Sequence, residues 1–372
     1  MSLKRNSMQR VCFTGSFSSG FRAQSFLRYA IKKAYKVHIL SEKNFCKSKG
    51  VLSFLVNFLS SVIFIPRRVY LLLRTDLLIV LAMPNSITVY ADIVLARIFR
   101  KPVIYDFYIS HYDSSVLDRK NCSPNSFKAF IQWHRDRLLY VFSTKVIFLS
   151  IAEKKYYKSL LKLSDKSKKD FIVPLFAESI DFNERVSSLR FNICWWGSYI
   201  PLHGLDVILD AMTYLTDLDC HLYIYGNSND LARPHINSVE RLGIDKVVTI
   251  RNDLTFKSGL KEELSQRASL ALGGFGNSAK AKAVTTNKLI EAMNLGIPVL
   301  SGHAESIDEL IPQDVVKTCA RDSLSLSMAI RDLYGKKDIL QEQSNNGKVL
   351  FESKFSYNAF EKNLDQLFEQ RV

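Results

Sequence analysis

The sequence has few cysteines, and their spacing indicates no disulfide pair. Its six Cys lie at positions 12, 46, 122, 194, 220 and 319, without a CxxC motif or the spacing of a metal-ligand set. This scatter excludes a disulfide scaffold and a zinc-binding module. It predicts unpaired thiols in a reducing, cytosolic compartment.

Long hydrophobic runs are also missing. The first apolar run is only VCF, which is too short for a signal peptide. The most apolar stretch, 51–65, has 15 residues, includes Asn57 and three Ser, and is shorter than the roughly 20 residues of a membrane span. Two alternatives stay open for it, an amphipathic helix on a domain surface and an interfacial membrane helix, with a true span as the least favoured third.

Acidic residues are scarce in the first half of the chain. Up to Glu178 there are 30 Lys and Arg against 11 Asp and Glu, whereas the rest of the chain has 21 against 25. The net charge of +15 therefore comes from a basic half joined to a mildly acidic one. The basic half predicts an anionic partner: nucleic acid, acidic lipid headgroups or a phosphorylated substrate.

Short apolar runs alternate with helical patterns along the chain. RVCFTG, VHILSE, DLLIVLAMP, KPVIYDF and KVIFLS have the composition of buried parallel strands, and a similar alternation starts again after a break at 173–190. The pattern predicts an α/β protein with two doubly wound, Rossmann-like domains that face a central cleft. The predicted domains are 1–178 and 179–350, followed by a helical tail at 351–372. One option for this tail is that it packs back on the first domain.

The stretch VTTNKLIEAMNLGIPVL, residues 284–300, has the signals of a helix followed by a strand. Thr286 and Asn287 are good N-cap residues, and Gly296 suits the left-handed position that ends a helix. These signals predict a helix from about Asn287 to Leu295.

One side of this predicted helix has groups that suit a nucleotide. Asn287, Lys288 and Glu291 lie on adjoining parts of it, near the positive end of the helix dipole. Backbone N–H groups and Lys288 suit a phosphate, and Glu291 can accept hydrogen bonds from two ribose hydroxyls. The alternative is that Glu291 only stabilises the helix dipole.

Two further segments suit the same ligand. Lys280 and Lys282 follow a strand and a Gly-rich turn, and with Lys288 they predict a diphosphate cradle, unless the loop is merely solvated. In WWGSYIPLHGLDVILDA a strand ends at Gly197-Ser198, where a ligand can approach the backbone closely. An ordinary strand–turn–helix with a surface His203 is the alternative there.

Together, WWGSYIPLHGLDVILDA, FGNSAKAKAVTTNKLIEAMNLGIPVL and ESIDELI resemble the nucleotide-sugar half of glycosyltransferases with the GT-B fold. The chain is most similar to the family-4-like retaining enzymes of bacterial polysaccharide and lipopolysaccharide biosynthesis. The resemblance implies that Glu291 contacts the donor ribose. It also implies that the region of Gly197 and His203 approaches the diphosphate and that the turn at 275–277 approaches the transferred sugar. The full donor site that we expect comprises Gly197, Ser198, His203, Gly204, Phe275, Gly276, Asn277, Lys280, Lys282, Asn287, Lys288 and Glu291.

The chain departs from the family pattern in two places. Ser198 and His203 occupy the positions of the usual Arg and Lys, so other residues must meet the phosphate charge. The usual second Glu, seven residues before the helix Glu, is missing. Ala283 and Val284 stand in that region instead.

In the basic half, VIYDFYISHYDSSVLDR (103–119) is the segment richest in chemical groups. Asp106 ends a strand and is expected to orient the acceptor or help take its proton, with His111 as a second catalytic candidate. The alternatives are an Asp that caps a turn and a His on a polar surface. Acceptor-side contacts are expected from Gly15, Ser16, Ser110 and Asp113. No DxD motif suits a metal, so we expect no metal and no cofactor.

These inferences predict a glycosyltransferase that moves a sugar from a nucleotide sugar to a lipid-linked, lipopolysaccharide or polysaccharide acceptor. The basic half and the 51–73 helix predict a cytoplasmic enzyme that is peripheral on the inner face of the plasma membrane. The alternatives are a nucleotide-sugar epimerase of the same fold and a non-enzymatic protein that binds nucleic acid or membrane. We expect no nucleic acid, because the sequence has no nucleic-acid-binding motif.

Overall fold

The structure is a computed structural model that describes residues 9–15, 20–41, 65–81, 87–180 and 190–369. The chain divides into two compact units. The N-terminal unit comprises residues 1–149, 157–172 and 367–372, and the C-terminal unit comprises 150–156 and 173–366. The predicted boundary after residue 178 is close to the observed one at 173, and residues 351–366 of the predicted tail belong to the C-terminal unit.

The N-terminal unit has a parallel sheet of six strands. They are β1 (Arg10–Gly15), β2 (Lys36–Ser41), β3 (Leu77–Val80), β4 (Val103–Asp106), β5 (Lys145–Phe148) and β6 (Asp170–Ile172), in the order β2-β1-β3-β4-β5-β6. Every residue of β3, β4 and β5 is buried, as expected for parallel strands covered on both faces. The loops that follow β1 and β3, where the strand order reverses, include 16–19 and 82–86, so Ser16 lies outside the described residues.

The α-helices of this part of the described chain are α1 (Phe21–Lys32), α2 (Ile65–Leu73), α3 (Ile87–Ile98), α4 (Phe127–Phe142) and α5 (Ile151–Leu160), and residues 151–156 of α5 belong to the C-terminal unit. A buried network ties β1, α2 and α3 together. The Asp92 carboxylate accepts a hydrogen bond from Thr14 Oγ1 at 2.6 Å and pairs with Arg68 at 2.5 Å. Burial raises the pKa of Asp92, and Arg68 and Thr14 oppose that rise.

The predicted helix at 51–73 is described only in part. Residues 51–64 lie outside the described residues, and α2 accounts for the rest. Among the helices that the structure describes, none is both long and apolar enough to cross a bilayer.

The C-terminal unit has a second parallel sheet of six strands. They are β7 (Phe191–Trp196), β8 (Cys220–Tyr225), β9 (Val248–Arg251), β10 (Leu270–Leu272), β11 (Val299–Gly302) and β12 (Val316–Cys319), in the order β12-β11-β10-β7-β8-β9. The helices that follow are α6 (Leu205–Thr213), α7 (Asn229–Leu242), α8 (Leu260–Arg267), α9 (Ala279–Ala283), α10 (Asn287–Asn294), α11 (Glu305–Leu310), α12 (Ser323–Leu333), α13 (Lys337–Leu350) and α14 (Tyr357–Glu369). The predicted pair of doubly wound α/β units is confirmed.

The strand order of this unit reverses between β7 and β10, which is where open α/β sheets bind ligands. The loop after β7 and the loop after β10 touch there through their backbones. Phe275 N–H donates to His203 O at 2.9 Å, and Gly276 N–H donates to Leu202 O at 3.2 Å. Gly204 has φ +61°, and a Cβ on it would lie 2.3 Å from Gly276 N.

This close approach predicts that Gly204→Ala destabilises the protein more than a left-handed conformation alone explains. Gly243 is the matched control, because it has φ +65° and a Cβ on it would meet nothing within 4 Å. Gly243→Ala should cost about 1–2 kcal/mol from the backbone conformation. Gly204→Ala should cost about 1–3 kcal/mol more, from overpacking. Urea unfolding followed by tryptophan fluorescence measures both, and equal costs would contradict the close approach.

Candidate active site

The helix at the centre of the candidate site is α10, which begins and ends close to where the sequence predicts. It spans Asn287–Asn294 after the N-cap Thr286, and Gly296 follows with φ +63°. The Thr286 side chain makes no capping hydrogen bond, and the first turn has no acidic residue. This end of the helix therefore keeps the positive character that favours an anion.

The Lys288 side chain belongs to the first turn of α10 and brings a positive charge to the site. Its side chain is only 4% exposed, and its Nζ lies 4.7 Å from the centre of the Trp195 ring. A Cβ on Gly197 would lie 3.1 Å from the same Nζ, so a larger residue would crowd the ammonium there. Within the described residues, this Nζ has no hydrogen-bond partner.

Burial lowers the pKa of Lys288 to about 7, and the Glu291 carboxylate only partly opposes this. A buried ammonium without an acceptor is costly, and an anionic ligand would remove that cost. Lys288 therefore gives the site its strongest preference for an anion.

His203 contributes no charge to the site. Its Nδ1 lies 2.7 Å from the carbonyl oxygen of Ser198, and since a carbonyl can only accept, Nδ1 carries the proton. Burial, followed by the charges of Lys288 and Lys280, lowers the pKa of His203 to about 3. The neutral ring presents Nε2 as an acceptor, so it cannot replace the Lys that the family usually has at this position.

Glu291 lies one turn along α10, with its carboxylate already oriented. Trp196, the last residue of β7, donates its indole N–H to Glu291 Oε2 at 2.6 Å. Burial raises the pKa of Glu291, and the Trp196 hydrogen bond and the Lys288 charge oppose the rise. The Phe256 ring lies 6.2 Å from that of Trp196. Trp196 was not among the predicted site residues, although its place directly before Gly197 could have indicated it.

The other predicted donor residues fall into two groups. Lys280 is buried and its charge acts on His203, whereas Lys282, two residues further along α9, is exposed. The structure therefore does not bring the three predicted lysines together, because residues two apart on a helix point in different directions. Asn277 and Asn287 are also exposed.

The Phe275 prediction needs a correction. Its ring is fully buried in the hydrophobic core of the unit and is not available to a sugar. Its backbone N–H is bound by His203 O, as described above. Of the predicted turn at 275–277, only the Asn277 side chain is exposed.

Arg321, which follows β12, orders the Gly-rich turn. Its five N–H groups all donate to backbone carbonyls. The acceptors are the oxygens of His303 at 2.7 Å, Gly274 at 3.0 Å, Gly276 at 2.9 Å, Ala281 at 2.5 Å and Gly302 at 3.2 Å. No local sequence signal predicts this role, since the acceptors lie 18 to 47 residues away.

In the N-terminal unit, Asp106 has a buried partner. It is 1% exposed, and both carboxylate oxygens accept from Arg22 Nε, at 3.0 and 2.9 Å. Asp106 thus lies against Arg22, a residue that the sequence analysis missed, and its part in orienting the acceptor or taking its proton stays a prediction.

The neighbouring predicted residues are buried in a second network. Ser110 Oγ donates to Asp136 Oδ2 at 2.6 Å and accepts from the Asp113 N–H at 3.0 Å. Ser110 and Asp113 are fully buried, and His111 is 8% exposed. Burial raises the pKa of Asp136 to about 6. The side chain of Ser110 thus holds the loop together instead of facing an acceptor, and Gly15, with φ +112°, packs against Leu81.

The buried Lys288 predicts a pH-dependent gain in stability for Lys288→Met. Because its pKa is lowered from 10.5 to about 7, the unfolded chain binds this proton more tightly than the folded chain. The wild type therefore loses free energy of unfolding as pH falls from 10.5 to 7, by at most about 1.4 kcal/mol per pH unit, and no more below pH 7. The advantage of Lys288→Met should grow as pH is lowered from about 9 to about 7 and then level off.

Urea unfolding across this pH range measures the difference between the two proteins. Lys282→Met is the control, since the exposed Lys282 should give a difference that does not change with pH. The same pH dependence in both variants would show that burial of Lys288 is not its cause.

Comparison with known proteins gives a family match for part of the C-terminal unit. Residues 190–336 match the family described as glycosyl transferases group 1. No curated protein sequence matches the chain.

Several solved structures share the fold along nearly the whole chain. Anabaena Alr3699/HepE in complex with UDP and glucose has a TM-score of 0.67 at 14% identity, and the match covers 98% of this chain and 100% of that chain. A glycosyltransferase from Rickettsia africae has a TM-score of 0.64 at 11% identity, over 97% of this chain and 98% of that chain. The apo lipopolysaccharide outer core galactosyltransferase WaaB has a TM-score of 0.63 at 13% identity, over 98% and 100%.

At these identities the structural likeness establishes the fold, and the family match covers the unit that contains Lys288 and Glu291. As the sequence predicts, the chain has the GT-B fold, and its residues 190–336 are similar to the glycosyl transferases group 1.

Proposed function

We propose that this protein transfers a sugar from a nucleotide-sugar donor, held in the C-terminal unit, to a hydroxyl group of an acceptor. The buried and unpartnered Nζ of Lys288, beside Gly197 and the start of α10, is the observation that supports this most strongly. It calls for an anion at the place where the sheet order reverses. A diphosphate supplies that anion.

The other groups of the site suit the rest of such a donor. Glu291, held by Trp196, has a carboxylate oxygen for the ribose hydroxyls, and the half-buried Phe256 offers aromatic surface near Trp196. HepE is seen with UDP and with UDP-glucose, so a uridine diphosphate sugar is the first donor to test.

The transfer itself breaks one bond and forms another. The acceptor oxygen bonds to the anomeric carbon, while the bond from that carbon to the β-phosphate oxygen breaks and its electron pair leaves with the nucleoside diphosphate. The hydroxyl proton passes to a base, for which the departing phosphate oxygen is available. Lys288 stabilises the charge that develops on this leaving group. Retention of the anomeric configuration and the lack of a metal are part of the proposal, on the family resemblance.

The positive charge of the basic half supports the proposed kind of acceptor. The excess of 19 positive charges up to Glu178 favours a lipid-linked or lipopolysaccharide-type acceptor at the cytoplasmic face of a membrane. An epimerase is the alternative within the fold. It would interconvert the nucleotide sugar without any acceptor, which NMR of the donor incubated with the protein alone would detect.

The first test of the donor site is calorimetry with a nucleotide sugar, whose diphosphodiester does not titrate near neutral pH. Lys288→Met should weaken binding about tenfold or more, because a charged hydrogen bond contributes roughly 1.5–3 kcal/mol. Binding of the nucleoside alone should not change. Since the diphosphate favours charged Lys288, the wild type should take up nearly one proton per donor at pH 8 and almost none at pH 6.

Proton uptake is read from the same titration in buffers with different ionisation enthalpies. Lys282→Met should bind the donor like the wild type and take up the same proton. A donor that binds without proton uptake, or equally well to Lys288→Met, would remove Lys288 from the diphosphate site.

The second test concerns the ribose. Glu291→Ala and Trp196→Phe should both reduce the preference for a ribose donor over its 2′-deoxy analogue, since the first removes the carboxylate and the second its orienting N–H. The wild-type preference should be about tenfold or more. Trp133→Phe is the control, because it removes an indole N–H that donates to Leu160 O in the other unit. An unchanged preference in Glu291→Ala would return Glu291 to the role of stabilising the helix dipole.

A further inference from the structure

Helix α4, Phe127–Phe142, presents an apolar stripe to solvent. Its members are Phe127, Phe130, Ile131, Leu138 and Val141, which are 77%, 57%, 42%, 44% and 51% exposed. At 100° per residue they fall within an arc of about 100°. The opposite side of the helix, with Ala129, Asp136 and Tyr140, is the buried one.

A surface helix usually presents polar residues on the side that its domain leaves uncovered. Single exposed apolar residues are common, but a contiguous set of large ones marks an interaction surface. The neighbouring α3 packs beside α4 and adds Val94 and Ile98, which are 43% and 65% exposed. Two neighbouring helices of this unit thus expose large apolar side chains.

The charges beside the stripe are of one sign. Residues 119–142 include five Lys and Arg, and their one acidic residue, Asp136, is fully buried. Lys128 is exposed, while Arg135 donates to Tyr90 Oη at 2.9 Å and Arg137 to the Leu161 carbonyl at 2.9 Å. These contacts fix two guanidinium groups along the flanks of the helix.

We propose that this stripe of α4 docks on an anionic lipid surface, with the apolar side chains in the interface and the flanking cations at the headgroups. An anionic bilayer complements both properties of the surface, since it buries apolar side chains and attracts nearby Lys and Arg. A second copy of the chain would instead bring two basic surfaces together, which repels. The inference rests on the proposed membrane location and is independent of the donor site.

The test uses the full-length protein and co-sedimentation with phosphatidylcholine vesicles, with and without phosphatidylglycerol. The wild type should bind the anionic vesicles and be released by high salt, which screens the flanking charges. Phe127→Gln/Phe130→Gln should reduce the partition coefficient about tenfold or more, because burial of one large side chain alone is worth that factor. Leu324→Gln/Met328→Gln on α12 is the matched control, with two residues that are 55% and 62% exposed in the less basic unit. It should bind like the wild type.

A direct readout comes from a tryptophan in the stripe. Emission of Phe127→Trp should shift to the blue on anionic vesicles and be quenched by brominated acyl chains, whereas that of Leu324→Trp should not. Nucleotide-sugar binding, measured in parallel, should be the same in all these variants, so a failure of the donor site is seen separately.

Three results would overturn the proposal. The wild type could fail to bind anionic vesicles while it binds the donor. Phe127→Gln/Phe130→Gln could bind vesicles as well as the wild type, which would place the membrane contact elsewhere. The same substitutions could convert a dimer to a monomer in sedimentation without any effect on lipid binding, which would assign the stripe to a second copy.

Discussion

The candidate site depends on one electrostatic constraint, the burial of the Lys288 ammonium without an acceptor among the described residues. A charge in this position is unfavourable for the free protein, and a lowered pKa is its physical signature. The surroundings keep it in place: Gly197 leaves room for Nζ, Trp195 offers the face of its ring, and Glu291 lies one helical turn away. Sites that bind and act on ligands often retain such locally unfavourable groups, since the ligand removes the cost.

A second constraint fixes the backbone around this charge. The loops after β7 and β10 meet through Gly204 and Gly276, with main-chain atoms so close that side chains are excluded. The single guanidinium of Arg321 donates hydrogen bonds to the carbonyls of the same turn. The rigid geometry of an arginine fork suits this role, because all five donors have fixed directions. The turn is thus held by main-chain contacts and by the half-buried side chain of Arg321.

The two units use charge in different ways. In the C-terminal unit the buried Lys288 lies at the candidate site, and the chain after Glu178 is not basic. In the N-terminal unit, Arg22–Asp106 and Arg68–Asp92 are buried ion pairs. Its excess of positive charge lies mainly in exposed Lys and Arg, where it attracts an extended anionic surface at long range. This difference fits a small charged donor on one side and a membrane or a lipid-linked acceptor on the other.

The sequence by itself determined the features that depend on neighbours along the chain. The bounds of α10, the left-handed Gly296, the apolar strands and the restart of the pattern after 173–190 follow from helix caps, periodicity and composition. The motif around Lys288 and Glu291 could be recognised in the sequence for the same reason, since both residues lie on one short helix.

Only the tertiary structure decided which side chains meet across the fold. It paired Asp106 with Arg22, 84 positions away, oriented Glu291 with Trp196, 95 positions away, and buried Ser110 on Asp136. It also separated Lys280 from Lys282, and it turned the apolar stripe of α4 outward where periodicity alone allows either direction. Such pairings depend on strand order, close packing and helix rotation, which the local sequence does not encode.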